Sequence, residues 1–170
     1  LAPEAKFPVA MNECLEVYKF LITKYNPDNI VGISTSAGCT HMLAMLLKAK
    51  ELNLSMINSI SLLSPAVDLA DNGDSNSFND GRDLLAYRNM GDKMMIKPFV
   101  GNASLSDHLV SPINAAYSSD FPSTSIVTGT RDLFLSGSSR LYWKLKDAGV
   151  SVELLCSEGM WHAFTNFTDI

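Results

Sequence analysis

Three residues whose side chains can cooperate in covalent catalysis each follow an apolar run that predicts a buried strand. Ser36 follows the run NIVGI, Asp132 follows TSIVT, and His162 follows VSVELLC. A serine hydroxyl becomes a nucleophile when a histidine removes its proton, and a carboxylate can orient that histidine. Side chains just beyond the carboxyl ends of parallel strands meet at one edge of a sheet. The three residues are therefore candidates for nucleophile, acid member and general base.

The residues around the candidate nucleophile approach a known turn signature. A serine on a sharp strand-to-helix turn needs small neighbours, and the usual form is G-x-S-x-G. Here the chain reads STSAG: Gly38 supplies the second glycine, and Ser34, which is also small, replaces the first. The alternative is an ordinary turn in which Ser36 only caps the following helix.

The other two candidates also have ordinary explanations when each is taken alone. An aspartate after a strand is often a turn former or a helix cap, and a single histidine is usually structural or solvated. Two further histidines are present: His41 falls within the helix after the serine turn, and His108 lies in a polar connector. The combination is stronger, because serine, aspartate and histidine in this chain order follow three separate strands.

Apolar periodicity and turn residues predict an α/β fold, with a mostly parallel sheet covered by helices on both faces. The predicted helices are 7–25, 36–52, the methionine-rich 84–100, and 138–148; the predicted strands are 29–33, 56–63, 124–128 and 150–156. The polar segment 68–83 between them is predicted to be a long surface loop, and loops of that length are often functional. The 170 residues are expected to form one domain.

Composition excludes several classes of function. The net charge is −5 and the basic residues are scattered, which argues against a nucleic-acid surface. No apolar stretch is long enough to predict a membrane span. The three cysteines, Cys14, Cys39 and Cys156, are interpreted as reduced, buried thiols of a cytoplasmic protein, with a disulfide or redox site as the alternative. An upstream targeting segment is left open. No metal-ligand spacing or phosphate-binding loop occurs, so no metal or cofactor is predicted.

Several segments in sequence order resemble the hormone-sensitive-lipase-like branch of the α/β-hydrolases, which includes bacterial esterases, lipases and acetyl esterases. The segments LAPE and FPVA match its LAPE…FPA region, STSAGC stands where GDSAGG is usual, and SPAVDL with GDS matches SP-x-x-DL…GDS. The stretches GTRDLFL and EGMWH resemble the acid and histidine loops of that branch.

The resemblance implies a carboxylic ester hydrolase acting on small or short-acyl esters through an acyl-enzyme. Ser36, Asp132 and His162 would be its catalytic residues, and the backbone amide of Ala37 one donor to the oxyanion. Trp161 and Phe164 are candidate substrate contacts, with ordinary core packing as the alternative. An amidase or thioesterase shares the same residues, and a homo-oligomer is left open.

In that branch an HGGG-type loop upstream of the LAPE segment supplies the other oxyanion donors, and a helix follows the histidine. The chain is therefore expected to be a carboxyl-terminal portion of a hydrolase, incomplete at both ends and weakly active or inactive alone. A protein of another class, a hydrolase-fold binding or scaffold module without turnover, is the competing hypothesis. Met90, Met94 and Met95 would either line a flexible apolar pocket or serve ordinary packing.

Overall fold

The computed structural model describes residues 2–70, 73–88 and 96–167. Its helices and strands alternate along the chain: α1 Val9–Lys24, β1 Val31–Thr35, α2 Ala37–Glu51, β2 Ser59–Leu63, α3 Asp74–Phe78, α4 Lys97–Val100, β3 Ser123–Gly129, α5 Leu135–Asp147 and β4 Val152–Ser157. Three short 3₁₀ turns accompany them, at Pro27–Asn29, Pro112–Asn114 and Phe164–Asn166.

The four strands form one sheet in the order β1-β2-β3-β4, and every neighbouring pair is parallel. The register aligns Thr35 with Leu63, and Gly129 of β3 with Ser157 of β4. The carboxyl ends of β1, β3 and β4 therefore lie along one edge of the sheet. The parallel order confirms the predicted mostly parallel sheet.

Burial of the sheet is one-sided among the described residues. Ile60, Leu62 and Ile126 are buried beneath the helices, whereas Ile33 on the opposite face is 69% exposed. Right-handed crossovers between parallel strands that are added in one direction all pass over the same face. The sequence predicted helices on both faces of the sheet. In the described part of the chain, the helices cover one face.

Helix α1 lies on α2 rather than directly on the sheet. Its buried side chains Met11, Leu15 and Tyr18 follow the predicted helical spacing. The Tyr18 hydroxyl donates to the carbonyl of Ser55 at 2.6 Å, which ties α1 to the segment that enters β2.

Strand β1 begins two residues later than predicted. Residues Pro27–Asn29 form a 3₁₀ turn instead, capped by the side chain of Asn26, which accepts the amide of Asp28 at 3.1 Å. The shift brings Ser34 and Thr35 into the strand. Ser36 therefore follows β1 directly, with no loop residue between the strand and the turn.

The polar segment 68–83 differs from the predicted surface loop. It contains helix α3, and three of its polar side chains are buried: Ser75, Asn79 and Asp83. A polar sequence pattern predicts exposure because it does not show which polar groups find hydrogen-bond partners inside the fold.

The helix predicted over 84–100 is only partly seen. Residues 84–87 are not helical, whereas α4 forms one helical turn at the carboxyl end of the range. Met90, Met94 and Met95 lie outside the described residues, so the proposed methionine pocket stays a prediction. No helix in the described ranges is long and apolar enough to cross a membrane.

Candidate active site

Ser36 occupies a strained turn between β1 and α2. Its backbone φ is 55° and its ψ is −122°, a region that a residue with a side chain seldom adopts. Such strain typically costs about 1–3 kcal/mol and persists only where surrounding contacts hold it. Here the amide of Ser36 donates to the carbonyl of Leu63 at 2.9 Å, and the Ser36 carbonyl accepts the amide of Ala66 at 3.3 Å.

The replacement of the first glycine by Ser34 is accommodated locally. A Cβ placed on Gly38 would lie 3.7 Å from the Cβ of Ser34, so the two positions do not collide. The Ser34 hydroxyl donates to Cys39 Sγ at 3.3 Å, and the thiol lies 3.3 Å from the Ser34 carbonyl. Burial raises the pKa of the Cys39 thiol to about 11, despite the hydrogen bonds from and to its neighbours. Cys39 is therefore a neutral packing group beside the turn.

The structure brings Ser36, His162 and Asp132 into one chain of hydrogen bonds. His162 Nε2 lies 2.8 Å from Ser36 Oγ, and His162 Nδ1 lies 3.1 Å from Asp132 Oδ1. An ionised carboxylate only accepts, so Nδ1 carries the ring proton and Nε2 can accept from the serine hydroxyl. His162 is 8% exposed and Asp132 is fully buried.

Several donors hold the Asp132 carboxylate. Besides His162, the Thr128 hydroxyl donates to Oδ2 at 3.0 Å and the Phe134 amide donates to Oδ1 at 2.9 Å. Burial of this carboxyl acts to raise its pKa, but the hydrogen bond and charge of His162, together with the other donors, outweigh it. The pKa of Asp132 is therefore lowered below its ordinary value, so the group is ionised at neutral pH.

The loop that carries His162 is anchored by two side chains that the sequence analysis did not single out. Asp83 Oδ2 accepts the amide of His162 at 3.2 Å, and the Ser64 hydroxyl accepts the amide of Ala163 at 2.9 Å. Ala163 adopts a left-handed backbone conformation, with φ of 55°. Ser64 lies in the SP segment of the family resemblance, which gave it no role, and Asp83 was only the last residue of the polar segment 68–83.

The loop after β3 packs closely against the loop after β4. The amide of Arg131 donates to the Met160 carbonyl at 2.9 Å, and the amide of Gly159 donates to the Thr130 hydroxyl at 2.8 Å. A Cβ added to Gly129 would overlap the backbone carbonyl of Met160. Gly129 therefore permits the close approach of the two loops that carry Asp132 and His162.

The substitution Gly129→Ala is expected to destabilise the protein by about 1–3 kcal/mol, because the new methyl group meets backbone that cannot move aside. Urea unfolding followed by circular dichroism measures the change in midpoint. Gly137→Ala is the matched control: its Cβ would lie 3.4 Å from Val67, and the residue is within α5. Alanine favours a helix over glycine by up to about 1 kcal/mol, so the control should be neutral or stabilising. Equal midpoints for the two variants would contradict the packing argument.

The aromatic ring against the candidate base belongs to Phe134, whose centroid lies 4.8 Å from that of His162 in an edge-on arrangement. Trp161 packs at 6.2 Å from Phe167. Phe164 begins the 3₁₀ turn after the histidine and is half-buried. The assignment of Trp161 and Phe164 to substrate contact stays a prediction, and the structure adds Phe134 as a ring beside the reacting groups.

Ala37 is the first residue of α2 and is exposed. The first amides of a helix have no partner within the helix, and the helix dipole places partial positive charge there. The backbone N–H of Ala37 thus lies next to Ser36 at the positive end of a helix of 15 residues.

The other two histidines have their partners outside this arrangement. His108 pairs with Glu51 on the surface at 2.9 Å, and the ring of His41 packs 5.2 Å from that of Phe99. The expectation that all three thiols are buried is correct only for Cys39: Cys14 is half-buried, and Cys156 is exposed on β4, the last strand of the sheet. In the described part of the chain, no group of three acidic, histidine or cysteine side chains is arranged to hold a metal ion.

Comparison with known proteins identifies the family of the chain. The family model of the alpha/beta hydrolase fold matches residues 1–166. An esterase of Acinetobacter venetianus is 28% identical over 168 residues, which are 98% of this chain and 55% of the relative. Vegetative-specific protein H5 of Dictyostelium discoideum is 25% identical, and the match spans 98% of this chain and 52% of that protein.

Solved structures give the same result. A hormone-sensitive lipase from a metagenome library superposes with a TM-score of 0.91 at 36% identity, covering 99% of this chain and 59% of the lipase. The structure of EstE5 superposes with a TM-score of 0.92 at 27% identity, covering 99% of this chain and 58% of EstE5. The chain spans little more than half the length of these proteins. The expected resemblance to the hormone-sensitive-lipase-like branch is confirmed, and the chain belongs to the alpha/beta hydrolase fold family.

Proposed function

We propose that this chain carries the catalytic serine, histidine and aspartate of a carboxylic ester hydrolase that works through an acyl-enzyme. The observation that carries the proposal is the hydrogen-bond chain from Ser36 Oγ through both ring nitrogens of His162 to the buried carboxylate of Asp132. Two relatives support the ester as substrate class, because one is named as an esterase and the other as a hormone-sensitive lipase.

In the first half of the reaction, Ser36 Oγ attacks the carbonyl carbon of the ester and its proton passes to His162 Nε2. The bond between that carbon and the alkoxy oxygen then breaks, and the leaving alcohol takes the proton from Nε2. Asp132 stabilises the imidazolium that exists between these two transfers. The product of this half is the Ser36 ester of the acyl group.

In the second half, water attacks the acyl carbon while Nε2 takes one of its protons. The acid is released when the bond to Ser36 Oγ breaks and the proton returns to that oxygen. The Ala37 amide is proposed as one donor to the negatively charged oxygen of both tetrahedral intermediates, since it is adjacent to the nucleophile at a helix N-terminus.

Small or short-acyl esters are the proposed substrates. Phe134 stands edge-on to the His162 ring at 4.8 Å and brings an apolar surface close to the reacting atoms. An apolar surface beside the base favours the acyl or alcohol part of an ester over a charged group.

A fluorophosphonate probe tests the proposal, since it reacts covalently with an activated serine. We expect one phosphonyl adduct, located by peptide mass spectrometry on the peptide that contains Ser36. A panel of p-nitrophenyl esters of increasing acyl length, set against the matching p-nitroanilides, then tests the substrate class. Faster turnover of short esters than of anilides is the expected result.

Absence of any adduct on Ser36 in a full-length version of the protein would reject the enzyme and favour the competing binding or scaffold module. An adduct combined with faster cleavage of the anilides than of the esters would keep the nucleophile and reject the ester assignment.

A further inference from the structure

Asp83 is a buried carboxylate, 9% exposed, that accepts four backbone amides. Oδ1 accepts the amides of Leu85 at 2.9 Å and Ala86 at 3.0 Å and so forms a local turn with the residues that directly follow Asp83. Oδ2 accepts the amides of Leu133 at 3.0 Å and His162 at 3.2 Å. One oxygen atom thus joins the loop after β3 to the loop after β4.

The two amides on Oδ2 belong to the residues that matter for the hydrogen-bond chain. Leu133 directly follows Asp132, and the other amide is that of His162 itself. Because both bind one oxygen, the backbones of the two loops cannot separate without losing a charge-assisted hydrogen bond. These two hydrogen bonds fix the distance between the loops. The contact of 3.1 Å between His162 Nδ1 and Asp132 Oδ1 depends on that distance.

Neighbouring side chains of the same segment fix the loop after β3 from its other side. The Asn79 side-chain amide donates to the carbonyls of Asp132 at 2.9 Å and Thr130 at 3.2 Å. Ser75 and Ser136 exchange hydrogen bonds, each hydroxyl accepting the amide of the other residue, at 3.0 and 2.9 Å. The loop that carries Asp132 therefore rests on buried polar side chains from a segment about 50 residues earlier.

We propose that Asp83 is a positioning residue: its carboxylate holds the loops of Asp132 and His162 at the separation that aligns the imidazole with Ser36. It acts through backbone amides and does not touch the substrate. The proposal rests on the proposed function, because alignment of the base matters for catalysis only if Ser36 reacts. The simpler possibility to be tested against it is that Asp83 contributes to folding alone.

The test compares four variants of the full chain. Asp83→Ala removes the acceptor from both loops, and Asp83→Asn keeps one acceptor oxygen in the same volume. Asp80→Ala is the matched control, since this exposed carboxylate accepts only one described amide, that of Arg88 at 3.1 Å. Leu15→Ala is the stability control, because Leu15 is a buried residue of α1 distant from both loops.

Two readouts separate positioning from folding. The first is the proton resonance of the His162 Nδ1–H group, which a hydrogen bond to a carboxylate shifts downfield and protects from exchange. The second is the rate of phosphonylation of Ser36 well below the Tm of each variant, together with kcat and KM for a short p-nitrophenyl ester.

We expect Asp83→Ala to lose the downfield resonance and to slow phosphonylation and kcat about 10²-fold with little change in KM, since misplacement of a base by about 1 Å has effects of that size. Asp83→Asn should slow phosphonylation and lower kcat by roughly ten-fold. Asp80→Ala and Leu15→Ala should keep the resonance and the rates, although Leu15→Ala lowers Tm.

The proposal is overturned if a folded Asp83→Ala or Asp83→Asn keeps both the resonance and the wild-type rates. It is also overturned if Leu15→Ala loses rate to the same extent as the Asp83 variants, because the effect would then follow stability. If Asp83→Ala does not fold, Asp83→Asn decides. A wild-type protein that shows the resonance but reacts with no probe would reject the proposed function and, with it, the catalytic role of Asp83.

Discussion

Substitution of Ser36 with alanine is expected to abolish phosphonylation and to lower kcat for a short p-nitrophenyl ester to the background rate, a loss of about 10⁶-fold in a fully active serine hydrolase. Without the hydroxyl no acyl-enzyme forms, and only binding and polarisation of the ester remain. His162→Ala should cause a loss of similar size, because Ser36 Oγ has no other base within hydrogen-bond distance among its described contacts. Steady-state hydrolysis and the rate of probe labelling measure both effects.

The double variant Ser36→Ala/His162→Ala separates cooperation from independent contributions. Groups that act in one proton transfer give non-additive losses, so the double variant should be no slower than either single variant. Ser106→Ala and His108→Ala are the matched controls, as both residues lie on the surface away from the site. Their rates should stay within about two-fold of wild type. Rates that multiply in the double variant would contradict the coupled assignment.

The substitution Asp132→Asn is expected to lower kcat by about 10⁴-fold while the fold is retained. An asparagine that turns its NH₂ group toward Nδ1 would favour the tautomer with the proton on Nε2, and that nitrogen could then no longer accept from Ser36. The Phe134 amide donates to the same oxygen that faces His162 and would oppose this rotation, whereas the Thr128 hydroxyl donates to the other oxygen and is compatible with it. Steady-state kinetics measure the loss, and Asp147→Asn, an exposed residue at the end of α5, is the control.

The same variant gives a second result, in the dependence of stability on pH. The pKa of Asp132 is lowered in the folded protein from its ordinary value of 3.8: burial opposes the shift, but the interaction with His162 prevails. A lowered pKa means that ionisation stabilises the fold, and that this stability is present above about pH 4 and lost as pH falls through the folded-state pKa. The wild type should therefore lose urea resistance on acidification more steeply than Asp132→Asn. Parallel curves for the two proteins would show that the carboxylate is not stabilised in this way.

Local pattern in the sequence predicted the elements and the chemical candidates of this protein. The 3–4 spacing of Met11, Leu15 and Tyr18 predicted α1, and the apolar runs predicted four strands whose positions differ from the observed ones by a few residues. The order of Ser36, Asp132 and His162 after three of those strands was sufficient to expect them at one sheet edge. A parallel strand order requires this, because all carboxyl ends then point the same way.

Tertiary structure decided what supports these residues. The segment 68–83 reads as a polar surface loop, yet Asp83 binds the amide of His162, 79 residues later in the chain. Phe134, and not a residue of the histidine loop, supplies the ring beside the imidazole. Such contacts join segments that are distant in the sequence through backbone amides and aromatic rings. These groups produce no periodic pattern in the sequence, so the contacts can be identified only once the sheet has placed the loops side by side. The sequence by itself determined which side chains are candidates to react, and the packing of three loops determined the geometry in which they meet.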